Sequence, residues 1–307
     1  MTSFPILRHP FTAAVGQLAA LYCAPLADAD RRACVVLVGG LAGSKEDFIP
    51  LLPLLAEAGY HTYAYDHRGQ YESDGPPDPA AYTMHALGDD LRSILTQVKH
   101  PHSVHLVGLC MGGFVAHAAT AAPDAAASLA LVGCPLSVSR GVYLRLRALA
   151  LGCWLIGPTR TAQLVIGHWE KSRPHEALDP ATQLVAPTRL TRTQPAHYQG
   201  LVRSWAAIRR RGPTATTPLP TLVMNGAKDG LFPARDFTEA ARRLGAAHVV
   251  IADAGHSAQQ HQPQAVTQSL LSFWRTLPTA SEHRGVMARS SQPRRSDATP
   301  ARATWHE

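Results

Sequence analysis

The chain has 307 residues, of which 46% are hydrophobic and 17% charged, enough apolar material for a sizeable core and too much for global disorder. Its net charge of +7 is concentrated in residues 136–212, where twelve Arg or Lys face three acids; no nucleic-acid recognition motif accompanies it, so no nucleic-acid partner is expected. Five cysteines, scattered and without a CxxC pair, argue against a disulfide framework and read as reduced cytosolic thiols.

The opening MTSFPILRHPF lacks a charged stretch followed by an apolar run, so no secretory signal is expected and the localisation reads as cytoplasmic. Residues 12–24 alternate in the manner of an edge strand or hairpin, and CVVLVGG (34–40) is a short apolar run of the kind buried on both faces of a sheet. A helix is predicted from Asp47 to Gly59, a strand over HTYAYD (61–66), a helix over 82–98 and a strand over SVHLVGL (103–109). A helix from Cys110 to Ala122 and the strand SLALVG (128–133) follow.

After Pro135 the rhythm breaks. Residues 136–212 show helical segments, with Trp154, Trp169 and Trp205 among them, and no convincing strand. The longest apolar stretch, Ala148 to Gly157, is about half of the ~20 residues a membrane span needs, so none is expected. Alternation resumes with the strand PTLVMNG (220–226), a helix from Pro233 to Leu244, the strand AHVVIAD (247–253) and a helix from Gln264 to Leu277. This order predicts an α/β fold with a mostly parallel sheet over 1–135 and 213–278, interrupted by a helical cap at 136–212. The tail 279–307, rich in Ser, Pro, Arg and Ala without periodicity, is expected to be disordered.

VHLVGLCMGGF (104–114) carries the chemistry. It holds Gly108, Cys110 and Gly112 as G-x-C-x-G, at the end of a buried strand and the start of an apolar helix, the context in which a nucleophile elbow has meaning. Small residues two positions before and after let strand and helix pass closely. The nucleophile then sits at a helix N-terminus whose dipole favours a thiolate.

With this segment the chain resembles the α/β-hydrolases, in particular small bacterial members with a helical cap. The resemblance runs from about 12 to 277. It rests also on GGLAGSKEDFIPLLPLLAEAGYHTYAYDHRGQYESDG (39–75), with its D-x-R-G-x-x-x-S turn, on PTLVMNGAKDGLFP (220–233) and on DAGHS (253–257). Most relatives have serine where this chain has Cys110, and His-Gly where it has Gly39-Gly40. His256 is the expected base and Asp229, 27 residues before it, the expected acid, in the family's chain order of nucleophile, acid and histidine. Some relatives carry the acid after the earlier strand, but here that site reads Gly133-Cys134-Pro135; Asp253 is too close to His256 along the chain. His61, His67, His105, His117 and His261 read as structural or surface residues.

The oxyanion donors are expected to be the backbone N–H of Met111 and, by resemblance, of Leu41. Gly40 would border the substrate, and Cys134 could line the pocket without a catalytic role. The Trp and Leu residues of the cap are expected to form its core and the roof of an apolar cavity.

A cysteine there implies acyl transfer on an ester or thioester. Cysteine-nucleophile members include thioesterases, acyltransferases, dienelactone hydrolases and release enzymes. A basic cap would suit an acyl group borne by a phosphopantetheine carrier protein or coenzyme A, and a role in bacterial secondary metabolism fits. The alternatives are a small-molecule ester or lactone hydrolase, a non-hydrolytic elimination or cyclisation enzyme, and a non-catalytic binding protein. No metal cluster or dinucleotide loop is seen, so no cofactor is expected.

Overall fold

The computed structural model describes residues 4–27, 33–98, 103–120, 125–157, 160–161, 164, 180–211 and 216–277. Near the amino terminus lie β1 (Ile6–Arg8), β2 (Phe11–Ala13), β3 (Gly16–Leu18) and β4 (Ala20–Cys23). The alternating stretch thus serves two sheets: β2 and β3 form a hairpin of their own, whereas β1 and β4 pair antiparallel at the edge of the main sheet. The apolar runs become β5 (Ala33–Val38), β6 (Tyr60–Tyr65), β7 (Ser103–Leu109), β8 (Ser128–Val132), β9 (Thr221–Gly226) and β10 (Ala247–Ile251). Their spatial order is β1-β4-β6-β5-β7-β8-β9-β10, with every pairing from β6 to β10 parallel.

The helices after β5, β6 and β7 are α1 (Leu52–Glu57), α2 (Met84–Gln97) and α3 (Met111–Ala119). The first is shorter than the sequence pattern predicts. Lys45–Phe48 forms a 3-10 turn instead, because Pro50 and Pro53 lack the N–H groups that would continue an α-helical ladder through this stretch, although Ile49 keeps helical angles of φ −50° and ψ −41°. Thr83 caps α2 by accepting the Ala86 N–H at 3.0 Å. Helix α3 is almost wholly apolar and buried, which suits a helix pressed between its strand and α2.

Between β8 and β9 lie α4 (Arg140–Leu155), α5 (Pro180–Arg192) and α6 (Pro195–Arg211), with α4 packed on α6. Trp205 is buried and its ring lies 6.1 Å from that of Phe114 on α3, but Trp154 is exposed and contributes to no core. Trp169, much of the segment 162–179 and the tail from 279 fall outside the described residues. The chain closes with α7 (Ala234–Leu244), α8 (Ala258–His261) and α9 (Pro263–Arg275), and Met1–Arg275 make up one compact unit. No described helix is long and apolar enough to cross a membrane.

Candidate active site

The site forms where β5, β7 and β9 end. Cys110 sits between β7 and α3 with φ +51° and ψ −114°, a left-handed backbone that a β-carbon strains. Two close approaches hold that turn. A β-carbon on Gly108 would stand 2.5 Å from the Gly113 Cα, and one on Gly112 would stand 2.0 Å from the Val38 carbonyl oxygen. The glycines of the G-x-C-x-G pattern are therefore required by the space between strand, helix and β5. The Cys110 N–H donates to the Val132 carbonyl at 2.9 Å, so β8 also anchors the elbow.

Asp229 and His256 meet across the loops after β9 and β10. His256 Nδ1 donates to Asp229 Oδ2 at 2.9 Å, while Asp229 Oδ1 accepts the N–H groups of Leu231 and Phe232 at 2.8 and 3.0 Å. The Asp229 side chain is 2% exposed. Burial alone would raise its pKa, but His256 and the two backbone donors outweigh that and hold it below the ordinary carboxylate value. The histidine loop is fixed in turn, since the Gly255 N–H donates to His261 Nδ1 at 3.0 Å and the Lys228 N–H to the Ala254 carbonyl at 2.8 Å.

The imidazole of His256 is buried, which by itself would lower its pKa. Its electrostatic interaction with Cys110, its hydrogen bond to Asp229 and the charge of that carboxylate outweigh burial and raise it above the ordinary 6.5. Because Nδ1 is engaged by Asp229, it is Nε2 that faces Cys110. Asp253, by contrast, is exposed and paired with Lys228 at 2.9 Å. The other histidines singled out by sequence are engaged elsewhere: His61 with the Tyr22 hydroxyl, His67 with the Gly39 carbonyl, His105 with the Ser128 hydroxyl, and His117 with the Thr216 carbonyl.

Leu41 and Met111 are both buried, and among the described residues no acceptor is found for either N–H. A β-carbon on Gly40 would stand 3.5 Å from the Cys110 Cβ, an ordinary contact. Gly40 thus borders the sulfur-bearing residue without being forced to be glycine by it. Cys134 is fully buried, and a β-carbon on Gly113 would stand 2.5 Å from its Sγ. The contact it makes is with the helix of the elbow, where it packs beneath the turn, and burial raises its thiol pKa.

Sequence reasoning noted the turn after β6 only as a family pattern and gave its residues no role. Arg68 forms two hydrogen bonds to Asp90 at 2.6 and 2.7 Å, the Ser73 hydroxyl donates to the Asp66 carbonyl at 2.8 Å, and Lys45 Nζ meets Asp66 at 2.8 Å. These bonds explain the D-x-R-G-x-x-x-S pattern as a staple for one turn. The turn presents the fully buried Gln70, whose Nε2 donates to the carbonyls of Gly40 at 2.8 Å and Leu41 at 3.3 Å. The cap docks on the same turn through Gln194 N–H to the Gly69 carbonyl at 2.8 Å and His197 Nδ1 to the Arg68 carbonyl at 3.1 Å. Buried Arg189 on α5 pairs with Asp47. Among the described residues no group of three His, Cys, Asp or Glu is placed to hold a metal ion.

Comparison with known proteins agrees with this architecture. Residues 34–142 match the family model described as alpha/beta hydrolase fold. A curated protein of Variovorax paradoxus (strain S110), named as carbamate hydrolase RutD, is 39% identical over 99 residues, 32% of this chain; the chain spans 36% of that relative's length. A thermophilic esterase from Thermogutta terrifontis superposes with a TM-score of 0.65 at 25% identity, covering 88% of this chain and 98% of that one. The enol-lactonase from Burkholderia xenovorans LB400 does so with a TM-score of 0.68 at 21% identity, covering 88% and 100%. The chain therefore has the α/β-hydrolase fold, and residues 34–142 carry that family's sequence pattern.

Proposed function

We propose that the protein is an enzyme of acyl transfer, in which Cys110 forms an acyl-enzyme with an ester or thioester and His256 and Asp229 move the protons. One observation carries this reading. A cysteine strained at φ +51° on the elbow lies close enough to raise the pKa of the His256 imidazole, whose Nδ1 is bound by a buried carboxylate at 2.9 Å.

In the first half-reaction the Cys110 thiolate attacks the acyl carbonyl carbon. A C–S bond forms, and the carbonyl electron pair moves to oxygen, where the Leu41 and Met111 N–H groups stabilise it. The oxyanion collapses, the bond to the leaving alkoxide or thiolate breaks, and His256 supplies that group with the proton on Nε2. In the second half, His256 takes a proton from water as the water oxygen attacks the thioester. Collapse of that intermediate expels the Cys110 thiolate and releases the acid. A thioester intermediate also reacts with amines, alcohols or carbanions, so an acceptor other than water fits the same site. The basic insertion supports an acyl donor with a phosphate-bearing arm, coenzyme A or a carrier protein's phosphopantetheine.

Intact-protein mass spectrometry with a panel of acyl thioesters and aryl esters tests this on wild type, Cys110→Ala and His256→Ala. An acyl adduct is expected on wild type, absent in Cys110→Ala and slow in His256→Ala. Adduct formation that survives Cys110→Ala would sink the nucleophile.

A second reading, hydrolysis of a small ester or lactone without a carrier, is favoured by the likeness to the Thermogutta terrifontis esterase. It predicts turnover of short aryl esters at least as fast as that of coenzyme A thioesters. Arg→Glu changes at Arg140, Arg145 and Arg147 would then leave turnover unaltered.

A further inference from the structure

We infer that Gln70 is a positioning residue, which sets the oxyanion donor on Leu41 by pinning the opposite end of its peptide bond. In a trans peptide the carbonyl of one residue and the N–H of the next point in opposite directions within one plane. Whatever holds the Gly40 carbonyl therefore aims the Leu41 N–H. The Gly40 carbonyl is held by Gln70 Nε2 at 2.8 Å, and the same Nε2 reaches the Leu41 carbonyl at 3.3 Å.

The side chain of Gln70 is oriented by its own turn, because Oε1 accepts the His67 N–H at 3.0 Å. That acceptor fixes the amide with its NH2 towards the loop, so the donor cannot be exchanged for the oxygen. The preceding peptide is treated in the same way. His67 Nε2 lies 3.0 Å from the Gly39 carbonyl, and burial lowers its pKa to about 4, which keeps the ring neutral with its proton on the nitrogen facing that oxygen.

Two successive carbonyls of the loop are thus tied to one buried wall, and their partner N–H groups face away from it. Gly40 adjoins Cys110, since a β-carbon there would stand 3.5 Å from the Cys110 Cβ. The Arg68–Asp90 and Lys45–Asp66 pairs anchor the turn that carries His67 and Gln70. The Gly39-Gly40 pair, which has no side chains to brace it, is in this way made rigid from outside, as electrostatic preorganisation requires.

This inference rests on the acyl-enzyme reading, and the test separates the two. Alkylation of Cys110 by iodoacetamide builds no oxyanion, whereas acylation by an aryl ester does. In Gln70→Met and Gln70→Glu, with folding checked by circular dichroism, the acylation rate should fall about 10²-fold through kcat with KM little altered. The alkylation rate should stay within two-fold of wild type. Acylation within two-fold of wild type in either folded variant overturns the assignment, as does alkylation that falls in parallel with acylation. Absence of acylation in wild type, with alkylation normal, would instead remove the acyl-enzyme reading itself.

Discussion

In β5, β7, β8 and β9 nearly every side chain is buried, whereas the helices of the insertion leave Leu144, Leu151, Trp154, Leu155 and Leu184 half or more exposed. The two regions are held by different means. The sheet positions Cys110, Asp229 and His256 through close packing, in which each buried Val or Leu contributes about 2 kcal/mol. The insertion is tied to the core by one buried apolar face, with Trp205 against Phe114, and by polar points, among them the Asp47–Arg189 pair and the hydrogen bonds to Gly69 and Arg68. A region attached in this way can change its sequence while Cys110, Asp229 and His256 stay put.

The contrast should be greatest in the chemistry itself. Asp229→Asn keeps the shape of the acid but favours the wrong imidazole tautomer, and the rate of acyl-adduct formation should fall about 10⁴-fold. A fall of less than ten-fold would remove Asp229 from its role. Next comes packing at the elbow. Gly112→Ala sets a methyl group 2.0 Å from the Val38 oxygen, and urea denaturation should record a loss on the order of 5 kcal/mol.

The insertion's ties come third. Arg189→Met leaves the Asp47 carboxylate buried without its partner, which should lower stability by about 4 kcal/mol while iodoacetamide alkylation of Cys110 stays within two-fold. Loss of alkylation would mean that the two regions are not separable in this sense.

Acid should strike both regions together. Burial lowers the pKa to about 4 in His67 and His105 of the core, and to about 3 in His197 on α6. Each folded form binds a proton more weakly than the unfolded chain. Their contribution is therefore complete above the ordinary 6.5 and is lost as pH falls through 4, at about 3 kcal/mol for His67. His256 has the opposite sign, contributing fully below 6.5 and losing this as pH rises through its raised value. Thermal melts from pH 4 to 10 should show both trends, and Cys110→Ala should flatten the alkaline one. The smallest effect is a gain: Gly141→Ala, on the exposed first turn of α4 with open space around it, should add about 0.5 kcal/mol.

What the sequence shows of this molecule depends on whether the signal is local. The run at 103–109 is a strand over those same residues, because a continuous apolar run bounded by turn residues has few other ways to be buried. The G-x-C-x-G spacing located the elbow for the same reason, since strand and helix meet within five residues. Pairing of Asp229 with His256 was legible only through resemblance, as nothing in either loop alone brings them to 2.9 Å. The Asp47–Gly59 helix was overdrawn because its apolar spacing hid the effect of Pro50 and Pro53. Gln70 could not be found by periodicity at all: its partners are carbonyls 29 and 30 positions away, and carbonyls leave no trace in a sequence. The exposed face of α4 was equally hidden, because spacing shows an amphipathic stripe but not whether anything covers it.

Gly133, at φ +58° after β8, lies against His256, whose Cε1 would stand 3.1 Å from any β-carbon placed there. A carboxylate introduced at this strand end would have to displace the histidine it was meant to serve. At a positive φ, and with the imidazole only 3.1 Å from where its β-carbon would stand, position 133 accepts a side chain only with backbone strain and a shift of His256, so the space under the histidine loop is kept by a missing side chain.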